Sequence, residues 1–141
     1  MPDCELPEEN ATPAEIAEIL RTTKTIAVVG LSPKPERPSH SVSQYMKGQG
    51  YTIIPVNPGH KELLGEKAYP SVADVPGPID MVNIFREPAA VPEIVDQAIA
   101  KKAKVIWMQL GIVHNAAAEK ARAAGLKVVM NKCLYIEHAR L

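Results

Sequence analysis

The chain has 141 residues, 46% of them hydrophobic and 23% charged, and its sixteen basic and sixteen acidic side chains cancel. Such a length fits one domain, since domains cluster near ~100–150 residues, and it buries enough surface to fold without disulfide or metal staples. Balanced charge leaves no broad basic or acidic field, which argues against nucleic acid and membrane partners; affinity for an anion has to come from locally placed groups.

Residues 1–11 are acidic and irregular and read as a mobile lead, with neither a basic start nor an apolar signal core. The longest apolar run, Thr25–Val29, is far too short to span a bilayer. Cys4 and Cys133 lie far apart without Cys-x-x-Cys spacing, which argues against a disulfide scaffold or zinc site and makes a reducing cytoplasm the expected location. Thr12, Pro13 and Glu15 form a capping-box start, and Ile16, Ile19 and Leu20 share one face of the accessory helix that follows.

From Thr25 strands and helices alternate. Thr25–Val29, Thr52–Val56, Met81–Phe85, Val105–Met108 and Lys127–Met130 are short apolar runs without in–out alternation, as expected of parallel strands covered on both faces. Ser39–Gln49, Pro92–Lys102 and Ala116–Ala124 are amphipathic, the last with Asn115 as its expected cap and Gly125 as its stop. Residues 58–78, rich in Gly and Pro, are expected to hold one short helix and one edge strand. The pattern predicts a single α/β domain, a Rossmann-like doubly wound parallel sheet, with residues 1–23 as lead and accessory helix and 24–141 as the domain proper.

Ligands of open α/β sheets bind outside the carboxyl ends of the strands, where strand order reverses. Here the strands exit into Gly30, Asn57, Arg86, Gln109 and Asn131. Turn chemistry accounts for Gly30 and Asn57 but not for Arg86 and Gln109. After the first strand, Gly30 permits a ligand to approach the backbone, so valine there is expected to block binding and leave the domain folded. The helix starting near Ser39 offers its positive end to a phosphate, Ser32 and Ser39 add hydroxyl donors, and Lys34 and Arg37 add charge. A dinucleotide fingerprint is excluded because Ser32 and Pro35 replace its second and third glycines. The acid that binds ribose hydroxyls near the second strand is replaced by Asn57-Pro58, with His60 and Lys61 nearby, a set that suits a phosphorylated ribose. No P-loop, nucleophile elbow, histidine pair or paired carboxylates stand out.

Five segments in this order resemble the CoA-binding domain family: Ala27–Ser32 with Arg37-Pro38-Ser39, Ile54–Pro58, Val82–Arg86, Trp107–Ile112 and Cys133–His138. The likeness is to its small stand-alone members and, more distantly, to the nucleotide-binding domain of the succinyl-CoA synthetase α subunit. It implies that Gly30, Leu31 and Ser32 with the Ser39 helix start seat the pyrophosphate of coenzyme A. Asn57, Pro58 and Lys61 would flank the adenosine end with its 3′-phosphate, Phe85 and Arg86 would border the nucleotide, and Gln109 would line the pantetheine path. The synthetase has an Asn-Cys-Pro-Gly turn near the thiol end, where this chain has Asn131-Lys132-Cys133-Leu134 with one extra residue. Because it follows the last strand, Cys133 is expected on the ligand edge, with Leu134, Tyr135 and Ile136 folding back over the sheet to shield it; the alternative, which the extra residue favours, is that Cys133 fills a core gap beneath that tail. The expected ligand is coenzyme A or an acyl-CoA, bound without catalysis by a sensor, carrier or protector of the thiol. The alternatives are a small enzyme acting on an acyl-CoA or other nucleotide-linked substrate, and a subunit serving a ligase partner; a homodimer is left open.

Overall fold

Nearly every residue of the main strands is buried, so the chain has to cover its sheet on both faces. The computed structural model describes residues 5–141, and Cys4 lies outside them. In chain order the elements are α1 (Pro13–Thr22), β1 (Thr25–Val29), α2 (Pro38–Gly48), β2 (Thr52–Val56), β3 (Glu62–Leu63) and β4 (Glu66–Lys67). There follow β5 (Met81–Ile84), α3 (Val91–Ala100), β6 (Val105–Met108), α4 (Asn115–Ala123), β7 (Lys127–Val129) and α5 (Leu134–Ala139).

The main sheet has five strands in the order β2-β1-β5-β6-β7, all neighbours parallel. The chain runs outward from β1 to β2, then crosses back to β5 on the other side of β1, so the order reverses between β1 and β5. One face packs Ala27, Val82 and Ile106 against α3 and α4; the other packs Ile26, Met81 and Trp107 against α1, α2 and Leu134 of α5. This is the Rossmann-like α/β domain predicted above.

Three local expectations change. Residues 58–78 form a two-residue hairpin, β3–β4, and a 3₁₀ turn at Val72–Asp74; the edge strand reduces to one bridge, in which Tyr69 N–H donates to Pro55 O (3.0 Å) and its carbonyl accepts from Asn57 N–H (2.8 Å). Pro55, which has no N–H, is tolerated because β2 is an edge strand. The α4 cap is His114, whose Nδ1 accepts from Ala117 N–H at 3.1 Å, while Asn115 is the first helical residue and is held by the Glu5 carboxylate. The lead is fixed from residue 5 onward. Asn10 Nδ2 donates to Met130 O (2.9 Å) and its Oδ1 accepts from Met130 N–H (3.0 Å), so one side-chain amide pairs the end of β7 as a strand would.

Helix α5 is pinned to α2 by aromatic contacts. The Tyr45 hydroxyl and His138 Nδ1 share a 2.8 Å hydrogen bond, and Tyr45 meets Tyr135 edge-on with centroids 4.4 Å apart. Tyr135 and Ile136 stay exposed, at 47% and 40%, instead of covering Cys133; only Leu134 is buried, because a helix this short turns one residue inward.

Candidate functional site

The strand order reverses at the carboxyl ends of β1 and β5, and there the backbone leaves room for no side chain. Gly30 has φ +88°, and a Cβ on it would stand 2.8 Å from the Phe85 carbonyl oxygen and 3.2 Å from Arg86 Cδ. Its N–H donates to Val56 O at 3.0 Å. The approach of the chain leaving β5 is therefore enough by itself to require glycine here. This corrects the expectation that valine would spare the fold.

The loop after Gly30 is braced from within. Leu31 is wholly buried, and its carbonyl accepts from Asn57 Nδ2 at 2.9 Å, while Asn57 Oδ1 accepts from Gly59 N–H at 2.8 Å. Asn57 thus ties the end of β2 to the end of β1 through Nδ2 and closes its own turn through Oδ1. Ser39 is 5% exposed and its Oγ accepts from Ser32 N–H at 3.0 Å; His40 Nδ1 lies 3.0 Å from Ser32 O, and Ser32 Oγ accepts from Lys34 N–H. The Ser39 hydroxyl proton, at the start of α2, has no acceptor among the described residues. Arg37, the N-cap, makes no side-chain cap, so its guanidinium and the Lys34 ammonium stand exposed beside that helix start.

Next to this loop, on the α3 side, lies a cleft of about 430 Å³. Of the expected site residues it brings together Gly30, Asn57, Pro58 and Arg86. Lys61 is exposed just before β3, and Phe85 is half-buried among the residues on the α2 side. Arg86 grips its neighbour Glu87 with two hydrogen bonds, Nη2 to Oε1 at 3.0 Å and Nε to Oε2 at 3.3 Å. Those bonds from the guanidinium hold the Glu87 carboxyl below the usual carboxylate range. The cleft's cation is thus already partnered, and Glu93 is the other charged residue lining it.

Across the sheet the carboxyl ends of β6 and β7 are locked to each other. Trp107 Nε1 donates to Lys132 O (2.8 Å), and Asn131 Oδ1 accepts from Gly111 N–H (2.7 Å). Gln109 is 3% exposed, and its Nε2 donates to Asn83 Oδ1 at 2.9 Å; Asn83 Nδ2 is buried without a partner among the described residues. Cys133 is a free, half-buried thiol at the N-cap of α5. Gln109 and Cys133 belong to this far half of the edge, outside the cleft.

Sequence reasoning missed Ser71, Glu93 and Gln97, which reach the cleft only through the packing of the 58–78 segment and α3. It also passed over Asn83, whose signal was legible: an amide inside an apolar strand.

The CoA binding domain model matches residues 24–139. YneT of Bacillus subtilis is 44% identical over 93% of this chain and 97% of its own length. A Pyrococcus horikoshii protein of known structure superposes with a TM-score of 0.91 at 46% identity, covering 97% of this chain and 96% of that one. An ADP-forming acetate–CoA ligase of Archaeoglobus fulgidus is 30% identical over 79% of this chain, which spans 18% of the ligase. With the sheet order, the Gly30 turn and the match agreeing over nearly the whole length, the chain belongs to the CoA-binding domain family.

Proposed function

We propose that this protein binds coenzyme A or an acyl-CoA across the carboxyl edge of its sheet and does no chemistry on it, serving as a sensor, carrier or protector of the thiol in the cytoplasm. The observation that carries the reading is the cleft at the β1–β5 reversal, adjoining a braced loop with an unused Ser39 proton and a helix start. The pyrophosphate sits on Gly30–Ser32 and the start of α2, within reach of Lys34 and Arg37. The nucleoside enters the cleft beside Asn57 and Pro58, with His60 and Lys61 outside for the 3′-phosphate. Phe85 and Arg86 border the nucleotide, and Gln109 lines the path of the pantetheine toward Cys133.

Native mass spectrometry of the purified protein, followed by titration calorimetry, tests the reading. A co-purified mass of CoA or acyl-CoA is expected, with CoA preferred over dephospho-CoA by roughly ten- to a hundredfold, the value of a charge-assisted contact of about 1.5–3 kcal/mol. No heat with millimolar CoA overturns the reading, and equal affinities remove the 3′-phosphate site. Oxidation with CoA disulfide checks the far end: Cys133 gains one CoA and releases one CoA thiol in wild type and in Cys4→Ser, and that adduct is lost only in Cys133→Ser. An unmodified Cys133 would mark it as packing.

The ligase relatives favour a second reading, a subunit lending its pocket to a ligase partner. The two separate on whether the isolated chain holds CoA by itself.

A further inference from the structure

We propose that Glu93 and Gln97 select the adenine base of the ligand, an inference that rests on the CoA reading above. Charge in the cleft is the first reason. Arg86 is forked onto Glu87, and Lys34, Arg37 and Lys61 do not line the cleft, whereas Glu93 does and has no ion-pair partner among the described residues. A cleft whose uncompensated charge is negative repels phosphate and suits a neutral group that carries hydrogen-bond donors.

The second reason is complementarity. Glu93 and Gln97 lie four residues apart on α3, one turn from each other, and both line the cleft. Gln97 Oε1 is taken by Ala73 N–H at 3.2 Å, which leaves its Nε2 hydrogens as the donors. A carboxylate acceptor beside an amide donor matches the edge of adenine, whose amino group donates and whose neighbouring ring nitrogen accepts. Hypoxanthine, with an oxygen in place of the amino group, presents two acceptors on its N7 edge and the reverse order of acceptor and donor on its N1 edge, so it does not match in the pose that adenine takes. Val56, Pro58, Val72 and Ile94 supply apolar walls for the ring.

A competing account makes Glu93 only a favourable charge at the positive end of α3. The two accounts predict opposite signs. If Glu93 merely sits near a polyanion, Glu93→Ala relieves repulsion and CoA binds more tightly; if Glu93 reads the base, binding weakens.

The experiment is titration calorimetry of wild type, Glu93→Ala, Glu93→Gln and Gln97→Ala with CoA, ADP, IDP and 2′-deoxy-ADP, with thermal melts confirming the fold. Wild type is expected to prefer ADP over IDP about tenfold, and Glu93→Ala to bind CoA about tenfold more weakly and to lose that preference. Glu93→Gln and Gln97→Ala fall between. CoA affinity that is unchanged or higher in Glu93→Ala overturns the proposal while the CoA reading stands. A Glu93-dependent penalty on 2′-deoxy-ADP in place of IDP moves the contact to the ribose and overturns the base assignment. A wild type that binds neither CoA nor ADP overturns both.

Discussion

The two edges of the sheet are polar in different ways. At the amino edge Asp80 accepts from the N–H groups of Lys24 (2.9 Å) and Thr25 (3.1 Å), its own N–H donates to Thr25 Oγ1 (2.9 Å), and its carbonyl accepts from Lys104 and Val105. That polarity is consumed in joining β1, β5 and β6. At the carboxyl edge the bracing bonds of Asn57, Ser39 and Asn131 are also internal, but the Ser39 proton and the Glu93 carboxylate have no partner among the described residues. On the reading proposed above, the edge that closes on itself holds the fold and the one with polar groups left over holds the ligand.

Breaking the junction between strands is expected to have the largest effect. Gly30→Val places a Cβ 2.8 Å from a carbonyl oxygen at a φ unfavourable for a side chain, so urea titration should show a loss of at least ~2 kcal/mol together with loss of CoA binding. A variant of wild-type stability would mean that Phe85 is not held where the structure puts it. Asn57→Ala removes two hydrogen bonds from the brace and is expected to cost about 1–2 kcal/mol and to weaken CoA binding as the loop loosens. Stability lost without affinity would separate the brace from the site.

Glu87→Gln sharpens the contrast from the other side. Freed from its neighbour, Arg86 turns to the ligand, and CoA binding should tighten by about two- to fivefold, less at high salt, as befits an exposed pair. Unchanged affinity at low salt would show that Arg86 does not face the anion. Asp80→Asn is the amino-edge control, with CoA affinity expected to stay as in wild type. Burial pushes the Asp80 carboxyl up, but the backbone N–H groups of Lys24 and Thr25, with Lys104, outweigh it and hold it below its ordinary value. A depressed folded value means that the carboxylate stabilises the fold above its unfolded pKa and that this contribution fades as pH falls through the lower, folded one. Melting temperature should therefore drop on acidification below about pH 4 in wild type and less steeply in Asp80→Asn.

The fold was legible because its signals are local. Five apolar runs covered on both faces, the Thr12–Glu15 capping box and the Gly125 stop each reflect a few adjacent residues. The misjudged cap at His114 came from side-chain rank: asparagine outranks histidine as a cap, yet Asn115 is engaged by Glu5, more than a hundred residues away in sequence. The same division runs through the site. Gly30, Asn57 and Arg86 could be picked out because they end strands, and the ligand edge of this architecture is known in advance. Glu93 and Gln97 look like ordinary polar positions of an amphipathic helix until the crossover lays α3 beside the Val72 turn.

The Asn10 amide has a further consequence, for solubility. An open sheet ends in strands whose free N–H and C=O groups invite a strand from another chain. Here β7 meets a side-chain amide at Met130, and β2 meets the backbone of Tyr69 at Pro55 and Asn57. Each outer strand thus meets the donor and acceptor of a single residue, the side-chain amide of Asn10 on one side and the backbone of Tyr69 on the other, an arrangement expected to discourage sheet growth without a full extra strand. Asn10→Ala would uncover one of these ends, and the expected sign is a concentration-dependent rise in light scattering on mild warming, at temperatures where the wild-type solution stays clear.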